Sequence, residues 1–289
     1  KLEKNSKRSI IAGDDDQAIY KWNGADADSF INLEGEKVIL QQSYRVPQKI
    51  FNVANNIIKK VKNRVEKNWV PKEDLGEVKY HWEIDRVDLS QGEWLILART
   101  NLFLEKIAYY LDQNDFYFQR RNSTPRVKNI YSLIENWNKL REGIPLHYND
   151  YKKITNKMSK NVDLKSMKHM SKEDFYDMDT LKEKYGLKTD EEWYIAFDDL
   201  GDHEISKIQK LIKNGEDLSK DPRIKISTIH GVKGNERDNV VLITDLSNAA
   251  YYKYLDNPDD EHRLFYVGVT RAKKELNIIY AKTERGYDI

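Results

Sequence analysis

Short apolar runs of strand type alternate with helical segments along most of this 289-residue chain. Residues 94–98 and 239–244 are almost continuously apolar, which is typical of strands buried on both faces of a sheet. Residues 47–65 carry apolar side chains at helical spacing, with Pro47 near the first turn. The alternation predicts an α/β fold with a mostly parallel sheet covered by helices. Further strands are predicted at 8–12, 37–41, 78–84, 116–119, 223–229 and 275–280, and further helices at 102–113, 127–140 and 259–267.

Residues 141–221 interrupt this alternation. The segment is polar, carries many charges of both signs and offers only helical patterns, such as the apolar spacing of Ile205, Ile208 and Leu211. Strand patterns return after Pro222. We therefore expect a small helical insertion between two parts of one sheet.

Bulk properties exclude several classes of protein. The chain has no cysteine, so disulfides and thiolate metal sites are excluded. Its 49 Lys and Arg residues nearly balance 48 Asp and Glu residues, but a local basic groove would still suffice to bind a polyanion. No apolar run is long enough to span a bilayer, and there is no signal peptide, so we expect no membrane association. Because the chain begins at Lys1 in a polar stretch, we interpret it as part of a longer protein.

Two polar segments in the first quarter of the chain could serve phosphate or base recognition. Residues 13–25 (GDDDQAIYKWNGA) follow a predicted strand, where Gln17 could hydrogen-bond a γ-phosphate or orient the attacking water. Tyr20 and Trp22 could offer flat faces on which bases stack. Residues 42–45 (QSYR) follow the next predicted strand, and the planar donor fork of an arginine can meet several phosphoryl oxygens.

Two further segments lie in the last quarter. Residues 227–236 (STIHGVKGNE) leave a predicted strand and enter a loop flanked by glycines, where backbone amides and small hydroxyls can approach phosphates closely. Residues 263–273 (RLFYVGVTRAK) begin inside the helix predicted for residues 259–267 and continue past its end, with an arginine at position 271. No second histidine or carboxylate stands at metal-ligand spacing in residues 227–236, so we expect no metal ligands there.

These four segments, in this order, resemble motifs III, IV, V and VI of the superfamily 1 DNA helicases of the UvrD/Rep/PcrA type. The resemblance implies RecA-like cores of the P-loop NTPase type, the second of them interrupted by the helical insertion. Residues 1–72 would end the first core, residues 73–140 and 222–289 would form the second, and residues 141–221 would be the insertion.

The resemblance also implies roles for single residues. Gln17, Arg45 and Arg271 would surround the γ-phosphate as the catalytic group, with Arg271 as the arginine finger. Tyr44 would stack on the adenine, and Glu236 would lie near the ribose and phosphates. Four residues would contact DNA: Tyr20, Trp22, Thr228 and His230.

This sequence departs from the family pattern at a few positions. Asn23 stands where an arginine is common, and Asn235 and Arg237 replace the usual leucine and aromatic residue around Glu236. Lys233 would be a linking charge in the loop. Residues 97–101 (LARTN) look like the family's strand-end segment, in which Arg99 would either contact nucleotide or cap the helix region.

No Gly-x-x-x-x-Gly-Lys-Ser/Thr segment occurs, and no apolar strand ends in Asp-Glu to hold magnesium. In the family both lie upstream of motif III. We therefore expect ATP and Mg²⁺ as cofactors that require an upstream part, and we expect this chain alone to be inactive.

The family resemblance predicts an ATP-dependent motor that moves 3′ to 5′ on single-stranded DNA and unwinds forked DNA. Replication or repair proteins would be its partners, in the cytoplasm of a bacterial or phage-infected cell. Two alternatives stay open at this point. One is a non-catalytic nucleic-acid-binding remnant of a helicase, and the other is the motor part of a helicase-nuclease subunit.

Overall fold

The computed structural model describes residues 10–20, 24, 27–120, 123–232 and 234–289. The chain forms two compact units: Lys1–Tyr110 together with Arg223–Ile289, and Leu111–Pro222. These divisions differ from the sequence boundaries at 140 and 221, chiefly because the helix Arg126–Arg141 packs its buried residues into the core of the second unit. The assignment of residues 1–72 to a separate first core stays a prediction.

Five strands of the first unit form a parallel sheet. In chain order they are β1 (Glu77–His81), β2 (Trp94–Ala98), β6 (Ile224–Thr228), β7 (Arg237–Ile243) and β8 (Ala272–Ile279), and they lie side by side in the order β1-β8-β7-β2-β6. Every one of these pairings is parallel. All five residues of β2 are buried, as expected for a central strand that is covered on both faces. The predicted α/β fold with a parallel sheet is confirmed.

Helices α2 (Gln48–Ile58) and α10 (Pro258–Val269) pack together on this sheet. The apolar face of α2 includes Ile50, Ala54 and Ile57, which share one core with Leu276 and Ile278 of β8. The first unit also contains α1 (Ala27–Ile31), α9 (Asn248–Asp256) and the start of α3 (Asn101–Gln113). This arrangement matters for function because α10 ends just before β8 and so fixes the position of Arg271.

The second unit is mainly helical and has its own core, built around Trp137, Tyr151 and Phe197. The prediction of a purely helical insertion missed two short antiparallel strands, in which Leu146 and His147 lie opposite Tyr176 and Phe175. A two-residue strand is too short to leave a recognisable alternation in the sequence. The helices and strands of this unit are β3 (Phe118–Arg120), α4 (Arg126–Arg141), β4 (Leu146–His147), α5 (Tyr148–Thr155), β5 (Phe175–Tyr176), α6 (Met178–Lys184), α7 (Trp193–Ala196) and α8 (Asp202–Lys213).

Two predictions for the first 65 residues were wrong. Residues 37–41 form no strand, because no described strand lies beside them, and Val38 and Leu40 are 77% and 88% exposed. The helix predicted for residues 47–65 ends at Ile58, because the backbone N–H groups of Lys62 and Asn63 donate to the Asp259 carboxylate.

The strand predicted for residues 8–12 lies partly outside the described residues, and residues 10–12 are irregular. Ile10 and Ile11 are 85% and 53% exposed. We call Ile10, Ile11, Val38 and Leu40 the exposed apolar segment pair. No helix in the described ranges is both long enough and apolar enough to cross a membrane.

Candidate functional site

Arg271 and Gln17 meet although 254 residues separate them in the sequence. Nη2 of Arg271 donates a hydrogen bond of 3.1 Å to Oε1 of Gln17, and Nε donates to the carbonyl oxygen of Val267 at 3.0 Å. The guanidinium group is held in the turn between α10 and β8, and Arg271 is only 1% exposed. The structure therefore brings together two of the three residues predicted to surround a γ-phosphate.

Arg45, the third of these residues, lies close to the same group. Its Nη1 donates to Oε2 of Glu236 at 3.1 Å, while its buried Nε has no hydrogen-bond partner in the part of the chain that the structure describes. Burial, together with the nearby positive charge of Arg45, lowers the pKa of Arg271 to about 10. Glu236 and Asp14 offset part of this positive charge, and an anion placed between the two arginines would stabilise them further.

Tyr44 does not share this environment. Its side chain is 88% exposed, although its neighbour Arg45 is half-buried. An exposed aromatic ring next to a positive site is able to meet a flat ligand without rearrangement of the core. Its assignment to the adenine stays a prediction.

The residues predicted to contact DNA gather where β6 ends. The hydroxyl of Tyr20 donates to the carbonyl oxygen of His230, and the two rings lie 6.2 Å apart. Oγ1 of Thr228 accepts from the backbone N–H of Gly231 at 3.1 Å and closes the turn after the strand. Trp22 and the predicted linking charge Lys233 lie outside the described residues.

His230 lines a small cavity of about 30 Å³ beside Arg99 and Lys253. Burial lowers the pKa of His230 to about 4, and the positive charges of Arg99 and Lys253 act in the same direction. His230 is therefore a neutral imidazole at pH 7. The cavity is lined by charged groups of both signs, Asp260 and Glu261 as well as Arg99 and Lys253, and a neutral ring can donate or accept hydrogen bonds there.

This lowered pKa predicts a pH dependence of stability. The unfolded chain binds a proton at His230 below pH 6.5, whereas the folded chain resists protonation down to about pH 4. We expect the free energy of unfolding to fall between pH 6.5 and 4, by about 1–2 kcal/mol from this residue once its partial exposure is considered. Urea denaturation of the wild type and His230→Gln at pH 7 and pH 5 measures this, with His203→Gln as the control. An equal pH dependence in the wild type and His230→Gln would contradict it.

Arg99 has a partner that the sequence did not indicate. Its Nε lies 2.5 Å from Oε1 of Glu261, whose side chain is 4% exposed. Burial raises the pKa of Glu261 in spite of Arg99. Glu261 sits in the first turn of α10, where acidic residues are common because of the helix dipole, so its sequence position gave no sign of a buried ion pair.

Lys67 and Arg64 were also missed, because they fall between the recognised segments. Both contact the aspartates of residues 14–16, next to Gln17. Within the described ranges, no group of three or more histidine, aspartate or glutamate side chains could hold a metal ion.

The sequence model of the UvrD-like helicase C-terminal domain matches residues 97–283, more than half of the chain. This chain belongs to that family. The match begins in β2, continues through both compact units and ends four residues after β8. The sequence resemblance to UvrD/Rep/PcrA-type helicases is thereby confirmed at the level of the family.

Individual members of this helicase family show the same likeness over shorter stretches. The ATP-dependent DNA helicase PcrA of Bacillus subtilis is 31% identical over 103 residues, which cover 34% of this chain and 13% of that protein. PcrA of Staphylococcus aureus strain Mu50 is 31% identical over 100 residues (33% and 14%), and PcrA of Leuconostoc citreum is 34% identical over 86 residues (28% and 12%). The matched stretches span about an eighth of the length of these curated relatives.

Proposed function

We propose that this chain is the C-terminal part of an ATP-dependent DNA helicase or translocase that moves on single-stranded DNA. The observation that carries the proposal is the contact of the buried Arg271 with Gln17, beside Arg45. Gln17 precedes α1, Arg45 lies between α1 and α2, and Arg271 follows α10. The hydrogen bonds that the structure records for the Arg271 side chain go to a neutral amide, a carbonyl oxygen and a hydroxyl, while the charges of Arg45, Glu236 and Asp14 act on it from nearby.

An ATP polyphosphate fits this chemistry. The Nε of Arg45 keeps a donor without a partner among the described residues, and burial, together with the charge of Arg45, lowers the pKa of Arg271. When bound, ATP supplies the phosphoryl group whose transfer to water drives the motor. Arg45 and Arg271 would hold its γ-phosphate oxygens, Gln17 would orient water, Glu236 would face the ribose and Tyr44 the adenine.

Magnesium is a different case. The described residues offer no set of ligands for it, so we derive no step through a metal ion. In this proposal, complete binding of ATP and the binding of Mg²⁺ both require a further part of the protein, upstream of residue 13. Residues 1–72 would complete a first RecA-like core, and the sheet after residue 73 would be the second core.

DNA would cross the C-terminal end of β6. Thr228 and His230 would contact the strand, and Tyr20 and Trp22 would stack on its bases. Of the charged groups that line the cavity beside His230, Arg99 pairs with Glu261, and Lys253 would be the one to meet a phosphate. Movement from 3′ to 5′, forked DNA as substrate, partners in replication or repair, and a cytoplasmic location in a bacterial or phage-infected cell complete the proposal.

ATP hydrolysis, measured with and without single-stranded DNA, tests this function. A longer protein that carries this chain and its upstream part should hydrolyse ATP faster when DNA is added, and the 289-residue chain alone should not hydrolyse it. A longer protein that binds DNA but hydrolyses no ATP in either condition would leave a nucleic-acid-binding remnant as the function.

A further inference from the structure

Three consecutive aspartates precede Gln17, and one lysine contacts all of them. Nζ of Lys67 lies 2.8 Å from Asp14 and 3.0 Å from Asp16, and it also pairs with Asp15. The Lys67 side chain is 18% exposed, while those of Asp15 and Asp16 are at most 1% exposed. Three adjacent carboxylates, two of them buried, require cations, because like charges repel strongly where water is excluded.

The loop after α2 supplies further partners for these aspartates. Arg64 binds Asp16 through two hydrogen bonds, from Nε at 2.9 Å and from Nη2 at 2.8 Å. The backbone N–H of Val65 donates to Asp15 at 2.8 Å. Asp15 and Asp16 thus each have a partner other than Lys67. Asp14 also accepts from the backbone N–H of Asp16 at 3.2 Å, and Lys67 is the cation that the structure pairs with it among the described residues.

Asp14 in turn holds the side chain of Gln17. Oδ2 of Asp14 accepts from Nε2 of Gln17 at 2.5 Å, while Oδ1 faces Lys67. Because a carboxylate only accepts hydrogen bonds, this contact fixes which end of the Gln17 amide carries the nitrogen. Oε1 is then the atom that faces Arg271, and it accepts from Nη2 at 3.1 Å.

We propose that Lys67 is a positioning residue, which orients the amide of Gln17 toward Arg271 through the carboxylate of Asp14. Three successive contacts link these residues: Nζ of Lys67 contacts Asp14, Asp14 accepts from Gln17, and Gln17 accepts from Arg271. Its importance for hydrolysis rests on the proposed function, whereas the orientation itself is a property of this chain.

The three aspartates explain why a positively charged residue is needed at position 67. Burial lowers the pKa of Lys67, but the three aspartates outweigh it and raise the pKa above 10.5, so the ammonium group is charged at neutral pH. Without that charge, Arg64 would face three carboxylates, and Asp14, the most exposed of them, would turn toward water. The Gln17 amide nitrogen would then lose the carboxylate acceptor that sets its orientation.

The orientation can be measured by NMR in the 289-residue chain. The side-chain amide pair of Gln17 is assigned by its loss in Gln17→Glu. In Lys67→Met we expect the pair to move to the position of a free glutamine amide, and its exchange with water to accelerate by about tenfold or more. Lys67→Arg should retain the wild-type signal. The control is Lys274→Met, which removes an exposed lysine paired with Asp238.

An unchanged Gln17 amide in folded Lys67→Met would overturn the proposal. If that variant does not fold, Lys67→Met combined with Asp15→Asn replaces it, since the second change removes one buried negative charge. The same release of the amide is expected there, and a retained wild-type signal counts against the proposal equally.

Kinetics of the longer protein separate a positioning role from a merely structural one. We expect Lys67→Met to lower kcat by about tenfold with little change in KM, and to have no further effect in a Gln17→Ala background. Equal reductions in both backgrounds would mean that Lys67 does not act through Gln17. If the longer protein hydrolyses no ATP at all, the proposed function fails, and the amide measurement still decides the role of Lys67.

Discussion

Replacing Arg271 by alanine in a longer protein that carries this chain should lower kcat for ATP hydrolysis by about a thousandfold or more. The expected loss is large because a guanidinium group that neutralises the transferred phosphoryl acts mainly in the transition state. Arg271 is held ready for this by Gln17 and Val267, and its burial keeps water from weakening the interaction. Steady-state hydrolysis in the presence of single-stranded DNA is the measurement.

Two variants control this experiment. Arg86→Ala removes an exposed arginine of the same unit and should leave kcat within twofold of the wild type. Arg271→Lys keeps the charge but lacks the planar donor fork, so we expect it to stay strongly impaired. Because Arg271 is buried, folding of each variant is checked by urea denaturation. A folded Arg271→Ala protein that hydrolyses ATP at the wild-type rate would remove Arg271 from the mechanism.

Arg99→Ala should cost about 3–5 kcal/mol in the free energy of unfolding, because it leaves Glu261 charged, buried and without its partner. Burial already raises the pKa of Glu261 with Arg99 in place. An acid whose pKa is raised in the folded state stabilises the fold less as pH rises through that pKa. The loss measured for Arg99→Ala should therefore be smaller at pH 5 than at pH 8.

An exposed ion pair provides the comparison. Arg126 pairs with Glu204 at 2.6 Å, but its side chain is 73% exposed, so Arg126→Ala should cost less than about 1 kcal/mol. Glu261→Gln added to Arg99→Ala should recover much of the lost stability, since it removes the isolated charge. A cost for Arg99→Ala no larger than that for Arg126→Ala would show that the buried pair contributes little.

The central sheet was predictable because its strands are governed by one simple requirement. Strand β2 and the last four residues of β7 are buried, so their sequences are wholly apolar and easily recognised. The end of α2 was not predictable, because it depends on the carboxylate of Asp259, almost 200 residues away in sequence. Local patterns in the sequence carry no information about such a partner.

In the candidate site, too, some residues could be predicted from local sequence and others could not. Gln17, Arg45 and Arg271 could be nominated because they stand inside recognisable segments, and the structure places them near one another. Lys67 and Glu261 could not, since a charged residue between segments or in the first turn of a helix normally lies at the surface. Their roles depend on burial, which arises only when distant parts of the chain pack together.

The exposed apolar segment pair should determine whether the purified chain self-associates in solution. Ile10, Ile11, Val38 and Leu40 are exposed apolar residues in segments without regular secondary structure, and exposed apolar segments of this kind can pair with one another between molecules. The chain should therefore self-associate as its concentration rises. Light scattering should detect this association under conditions in which the core is still folded. Charged substitutions such as Val38→Lys and Leu40→Glu would keep samples monodisperse and leave the contact between Arg271 and Gln17 intact, which makes them a practical background for the spectroscopic experiments.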